Sequence, residues 1–322
     1  MQKNDIGDRE QAARLNIVVP CYNEEDVLPE TARRLESLLR RLVAEGRVDA
    51  GSTVVFVDDG SRDGTWGLIE EMAARDRVVG GIKLSRNRGH QNALLAGLFT
   101  VDGDVVVSVD ADLQDDIEVI AAMLEEYQRG ADVVYGVRDD RSSDSFFKRV
   151  TAKGFYRVMD ALGVETVYNH ADFRLMSRRA LEAAKEFREV NLFLRGIVPL
   201  IGFRSAVVHY ARSERFAGVS KYPLRKMLSL AWNAITSFSV VPLRLITMIG
   251  FMVFSFSIAM VGWTLWIRFF SEQAVPGWAS TLIPIYFLGG IQILSIGILG
   301  EYLGKVYQET KARPRYIIEK IV

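Results

Sequence analysis

Val105–Asp115 reads VVVSVDADLQD, and this stretch decides the class of fold. Val105–Val109 is short, mostly β-branched and apolar without alternation, the form of a strand buried on both faces. The chain then turns acidic at once, with Asp110, Asp112 and Asp115. Working outward, Leu15–Val19, Thr53–Val57, Val79–Leu84 and Val133–Val137 repeat the same kind of run. Asp26–Glu45, Thr65–Arg75, Gln91–Thr100 and Ile117–Gln128 fill the intervals with helical spacing and charged faces. Repeated strand–helix–strand predicts an α/β domain, a mostly parallel sheet with helices on both faces. Ligands of such sheets gather at the carboxyl ends of the strands.

Polar clusters follow all five runs. They are Pro20-Cys21-Tyr22-Asn23-Glu24-Glu25, Asp58-Asp59-Gly60-Ser61, Ser85 to Gln91, Asp110 to Asp115, and Gly136-Val137-Arg138. Any one of them is ordinary turn chemistry; five at consecutive strand ends predict a shared site. Asp110, Asp112 and Gln114 offer hard oxygen ligands suited to Mg²⁺ or Mn²⁺, too few for a closed cage, which leaves places for phosphate oxygens. The competing reading is an acidic helix N-terminus, which suits Asp115 and Asp116 but not Asp110 at a strand end. No glycine-rich phosphate loop of either common kind is present. Asp58 and Asp59 are placed to accept hydrogen bonds from a ribose or base edge, and Tyr22 to pack on a base. His90, His170 and His209 lack metal-ligand spacing, and each reads as structural.

Composition adds exclusions. The chain of 322 residues carries 40 basic and 40 acidic side chains, against a nucleic-acid binder, and one Cys, against a disulfide framework. The balance hides a split: between Leu245 and Gly300 only Arg268 and Glu272 are charged. As helices, 245–270 and 282–300 are about 39 and 28 Å long, enough for two spans of a bilayer whose hydrocarbon core is about 30 Å. A buried core helix is the bland alternative. Lys305, Lys311, Arg313, Arg315 and Lys320 follow the second run, so the positive-inside rule places both chain ends in the cytoplasm. The first residues have no apolar leader run, so no export of the first domain is expected. Leu224, Met227, Leu228, Ala231, Trp232 and Ile235 form one helical stripe flanked by Lys221, Arg225 and Lys226, which suits a membrane-surface helix or a plain packing helix. The expected layout is a catalytic domain over 1–220, an amphipathic helix over 221–243, two spans within 244–300, and a basic tail over 301–322. Gly300 and Gly304 suit close helix approach and hence a homo-oligomer.

These motifs resemble glycosyltransferase family 2 with the GT-A nucleotide-sugar fold, in the polyprenyl-phosphate branch of bactoprenol glucosyltransferase type, and more distantly dolichol-phosphate mannose synthase. The resemblance rests on Val18 to Glu25, Val57 to Ser61, Asp110 to Asp115, Asp172-Phe173-Arg174-Leu175, Asn191-Leu192-Phe193, Arg215 to Tyr222, Glu301 to Gly304 and Lys311 to Tyr316, covering nearly the whole chain. It implies that Asp110, Asp112 and Gln114 bind the divalent metal of a nucleotide-sugar donor. Pro20, Tyr22, Glu24, Asp58, Ala111 and Asp112 would hold that donor, and Arg138, Arg215 and Lys221 would meet phosphate charge of the donor or of a polyprenyl phosphate acceptor. Asp110, Asp112, Arg138, Arg215 and Lys221 would thus carry catalysis. The implied reaction is transfer of glucose from UDP-glucose to undecaprenyl phosphate with inversion, at a bacterial plasma membrane. Asp116-Ile117, His170-Ala171 and Val219 depart from the usual pattern and leave the sugar open: N-acetylglucosamine, mannose and an aminoarabinose derivative are alternatives. A processive synthase is a further reading, though its Q-x-x-R-W signature is absent, and a non-catalytic scaffold another.

Overall fold

The computed structural model describes residues 11–138, 170–189, 194–210, 241–270 and 278–322. The chain divides into two compact units, one of Met1–Val158, Glu165–Tyr222 and Arg313–Val322, the other of Met159–Val164 and Pro223–Ala312.

In the first unit β1 (Leu15–Cys21), β2 (Thr53–Asp58), β3 (Val79–Leu84), β4 (Val105–Ser108) and β5 (Val133–Arg138) fall where the apolar runs predict them. Helices α1 (Leu28–Ala44), α2 (Thr65–Arg75), α3 (His90–Thr100) and α4 (Val119–Gln128) lie between them. The chain adds β6 (His170–Ser177), α5 (Arg178–Lys185), α6 (Leu194–Leu200) and β7 (Ser205–Tyr210). One sheet results, in the order β7-β5-β6-β4-β1-β2-β3-β8, with β8 being Ile318–Ile321. Pairings β4–β1, β1–β2, β2–β3 and β5–β7 are parallel, whereas β6 and β8 run antiparallel to their neighbours. The sheet is therefore mostly parallel, as expected.

Alternate residues of the strands feed two cores. Leu15, Ile17, Val54, Phe56, Val105 and Val107 pack with α1, α2 and α4; Val18, Val55, Val57 and Val106 pack with α3, α5 and α6. Burial on both faces is why these strands read as continuous apolar runs rather than alternating ones. Helix α3 lies closest to the sheet, through Gly97. A Cβ there would stand 2.3 Å from Val18 Cγ1 and 2.8 Å from Val57 Cγ2. Gly97→Ala is accordingly expected to cost about 1–3 kcal/mol by overpacking, seen as a lower melting midpoint, and Val18→Ala in the same chain should recover part of it.

The end of the chain departs from the expected tail. Residues 318–321 form an edge strand on β3, with Gly81 and Val322 exchanging both backbone hydrogen bonds at 2.9 Å. Lys83 and Glu319 pair across it at 3.1 Å. Its charged residues face solvent at an edge, which is why it reads as a tail.

The second unit contains two helices, α7 (Val241–Phe270, 30 residues) and α8 (Trp278–Thr310, 33 residues). Among the described residues no helix is long and apolar enough to cross a membrane. The two spans expected from the sequence are therefore not demonstrated by the structure. The amphipathic stripe within 221–243 lies almost wholly outside the described residues.

Candidate active site at the carboxyl ends of the strands

Strand order brings the polar loops together. In the parallel core the carboxyl ends of β1, β2, β3 and β4 share one rim of the sheet. Because β6 is antiparallel and pairs Arg174 with Ser108, its beginning lies at that same rim. The chain leaving Ser108 toward Asp110 thus meets the chain arriving through Asp172. The Ser108 hydroxyl donates to the Asp172 carbonyl at 2.5 Å and fastens the two.

The loop after β1 is built on the loop after β2. Asn23 adopts a left-handed φ of 55°, its N–H donates to Ser61 Oγ at 2.9 Å, and its Oδ1 accepts the Arg62 N–H at 2.9 Å. The Glu24 N–H donates to Thr65 Oγ1 at 2.9 Å. Tyr22 is left exposed at the rim. Pro20 is buried within β1 in register with Val57, so it shapes the strand end. Cys21 is buried, and burial raises its thiol well above the ordinary range, so it is no ready nucleophile.

Asp58 and Asp59 serve the loops themselves. Asp58 is fully buried and accepts the Ser61 N–H at 3.1 Å. Asp59 accepts the N–H groups of Arg88 at 2.6 Å and Gly89 at 2.8 Å, which fastens the loop after β3. Burial raises both carboxyls, opposed by these hydrogen bonds. Gly60, at φ 70°, lets the two loops touch, since a Cβ there would stand 2.7 Å from Arg86 C and Asn87 N.

The acidic loop after β4 is held from below. Thr31 Oγ1 donates to the carbonyl of Ala111, itself buried, at 2.7 Å. Leu113 takes a left-handed φ of 55° and turns the chain. Asp112 stays partly exposed, with one oxygen 3.3 Å from the Gln114 N–H. Gln114 and Asp115 are buried. Asp115 accepts the Tyr210 hydroxyl at 2.5 Å from β7, which ties the loop to the sheet. Asp116 does the local helix work, accepting the Glu118 N–H at 3.0 Å just before α4. Tyr210 is in register with Arg138, which ends β5 on the same rim. Arg215 and Lys221 lie outside the described residues, as do Asn191 to Phe193.

Three side chains that spacing alone does not single out, His90, Asp172 and Arg174, form a relay that ends at Asp110. His90, the first residue of α3, places Nε2 3.6 Å from Asp110 Oδ1 and 3.5 Å from Asp172 Oδ2. The other Asp172 oxygen is 2.7 Å from Arg174 Nη2. Arg174 is 1% exposed and heads the largest fully buried side chains among the described residues. Desolvation pushes the Asp110 carboxyl up to about 6; His90 opposes the shift, and Asp172, Asp115 and Asp112 add to it.

This donor chemistry fits a divalent metal such as Mg²⁺ or Mn²⁺. Asp110 and Asp112 are hard oxygen ligands, and crowding among carboxylates is what a cation relieves. Among the described residues no group of three or more His, Cys, Asp and Glu side chains is arranged to hold a metal.

Comparison with known proteins agrees with this geometry. Residues 16–184 match the family model described as Glycosyl transferase family 2. The chain is 53% identical to the uncharacterized glycosyltransferase YkoT of Bacillus subtilis (strain 168), over 95% of this chain and 91% of that one. It is 42% identical to the bactoprenol glucosyl transferase of Shigella phage SfX, over 95% and 99%. It is 41% identical to the prophage bactoprenol glucosyl transferase homolog of Escherichia coli (strain K12), over 96% and 99%.

Proposed function

Because the chain belongs to glycosyl transferase family 2, we propose that it transfers one sugar, glucose from UDP-glucose, to a polyprenyl phosphate of the undecaprenyl class with inversion. The observation that carries the reading is the likeness to bactoprenol glucosyl transferases, which extends over nearly the whole chain instead of the family domain alone. The rim of carboxylates around Asp110 is the site at which the reaction would run.

The acceptor is a phosphate monoester, mostly dianionic at neutral pH since its second pKa is about 6. It needs no general base. One phosphate oxygen forms a bond to the anomeric carbon from the face opposite the leaving group. The bond from that carbon to the diphosphate oxygen breaks, and the nucleoside diphosphate departs with the electron pair. An α-linked donor therefore yields a β-linked lipid. Tyr22, exposed at the end of β1, would pack on the base, and Arg138, at the end of β5, would offset phosphate charge; Arg215 and Lys221, outside the described residues, are assigned the same task from the sequence. Asp110, Asp112 and Gln114 would hold Mg²⁺ or Mn²⁺, whose chemistry when bound is Lewis-acid neutralisation of the diphosphate. Donor recognition is assigned to Pro20, Tyr22, Glu24, Asp58, Ala111 and Asp112, with Asp58 also bracing its loop through the Ser61 N–H.

We also assign α7 and α8 to the bilayer, with both chain ends on the cytoplasmic side. Supporting this are the unbroken apolar runs of the sequence and the outward apolar side chains Phe251, Trp263, Trp266, Ile293, Leu294 and Ile296, all more than 60% exposed. Apolar surface on this scale needs a cover. Thr247 and Ser255 donate their hydroxyls to the carbonyls of Leu243 and Phe251, four residues back, which satisfies them without water. Tethering to the membrane raises the effective concentration of a lipid acceptor.

A panel of nucleotide sugars tests the donor. Nucleoside diphosphate release that requires both UDP-glucose and polyprenyl phosphate is expected; equal release without the lipid, or preference for another donor, would contradict the assignment. A different sugar would leave the lipid-phosphate acceptor standing.

A further inference from the structure

His90 has no part in the reaction as set out above, yet it is the group that joins two carboxylates brought from different strands. Its Nε2 stands 3.6 Å from Asp110 and 3.5 Å from Asp172. Behind it, Asp172 is held by the buried guanidinium of Arg174 at 2.7 Å and, through its carbonyl, by Ser108 at 2.5 Å. The loop that delivers His90 is fastened from the other side, where Asp59 takes the N–H groups of Arg88 and Gly89. Every element around His90 is therefore fixed before any ligand arrives. Asp110, by contrast, opens the loop after β4 and lies among the carboxylates of Asp112, Asp115 and Asp172, an arrangement whose orientation depends on what stands beside it.

We propose that His90 is a positioning residue, which with the Arg174–Asp172 pair behind it fixes the direction in which Asp110 presents its oxygens to a divalent cation and the donor diphosphate. The proposal rests on the metal-assisted reading given above. Groups that orient a metal-binding side chain typically change metal affinity by about 10–100-fold when removed. His90 is 44% exposed in its side chain, so its replacement does not open a core cavity.

The test uses the full chain in detergent, with His90→Ala and His90→Gln compared to the parent. Mn²⁺ affinity in the presence of UDP is read by titration calorimetry, together with kcat, the KM for the donor and the melting midpoint. His90→Ala is expected to weaken Mn²⁺ binding about tenfold and to lower kcat more than it raises KM, with the midpoint unchanged. His90→Gln, which returns a nitrogen donor near the Nε2 position, is expected to recover most of both. Parent-like Mn²⁺ affinity in His90→Ala would overturn the proposal, as would a folded His90→Gln as impaired as His90→Ala. A parent chain that binds no Mn²⁺ with UDP would overturn the metal reading and this proposal with it.

Discussion

Asp112→Ala is expected to lower turnover by about 10²–10³-fold, the size of effect seen when one group stabilising transition-state charge is lost. The residue stands partly exposed on a loop whose shape is set elsewhere, by Thr31 on the Ala111 carbonyl and Tyr210 on Asp115. Its removal should therefore leave the fold intact. A melting midpoint equal to the parent's, with activity lost, distinguishes a missing ligand from a damaged domain. Chelator treatment of the parent should reproduce the loss, and added Mn²⁺ should reverse it in the parent and not in the variant. Parent-level turnover in either Asp112→Ala or the exhaustively chelated parent would remove the metal from the mechanism.

The second large effect concerns stability. Asp172→Ala removes the carboxylate 2.7 Å from a guanidinium that is 1% exposed. Breaking a buried pair by deleting one partner costs about 3–5 kcal/mol, because the remaining charge stays in the interior. For a chain of this size that corresponds to a fall in melting midpoint on the order of 10 °C. Replacing both members, Asp172→Ala with Arg174→Met, should restore a large share of the loss, since no charge is then stranded. Activity should not return in the double variant, because Asp172 also stands 3.5 Å from His90. A double variant no more stable than the single one would show that Arg174 is held mainly by other groups.

Much of this was legible in the sequence, for a physical reason. Strands buried on both faces announce themselves as apolar runs, so β1 to β5 fell within a residue or two of their expected bounds, and their polar ends marked the rim. Three strands were not legible. In β6 the charged Asp172 and Arg174 sit inside the strand, where they pair with each other. In β7 side chains such as Ser205, Val207 and His209 are exposed, and β8 is four residues long with Glu319 and Lys320 on an edge.

The site divides in the same way. Asp110 and Asp112 stand out in the sequence because carboxylates at a strand end have few structural excuses. Asp58 and Asp59 look alike in sequence; what only the fold reveals is that they also brace the loops, accepting the backbone N–H groups of Ser61, Arg88 and Gly89. His90 read as structural because its partners, Asp110 and Asp172, lie far along the chain and meet it only when an antiparallel strand enters the sheet.

The most direct measurement is the mass of the lipid formed when the purified chain, in detergent or vesicles, is given UDP-glucose, undecaprenyl phosphate and Mn²⁺. Undecaprenyl phosphate carrying one hexose, in the parent and not in Asp112→Ala, is the predicted product. No glycosylated lipid from any nucleotide sugar, or a lipid bearing a growing chain of sugars, would contradict single transfer to a lipid phosphate.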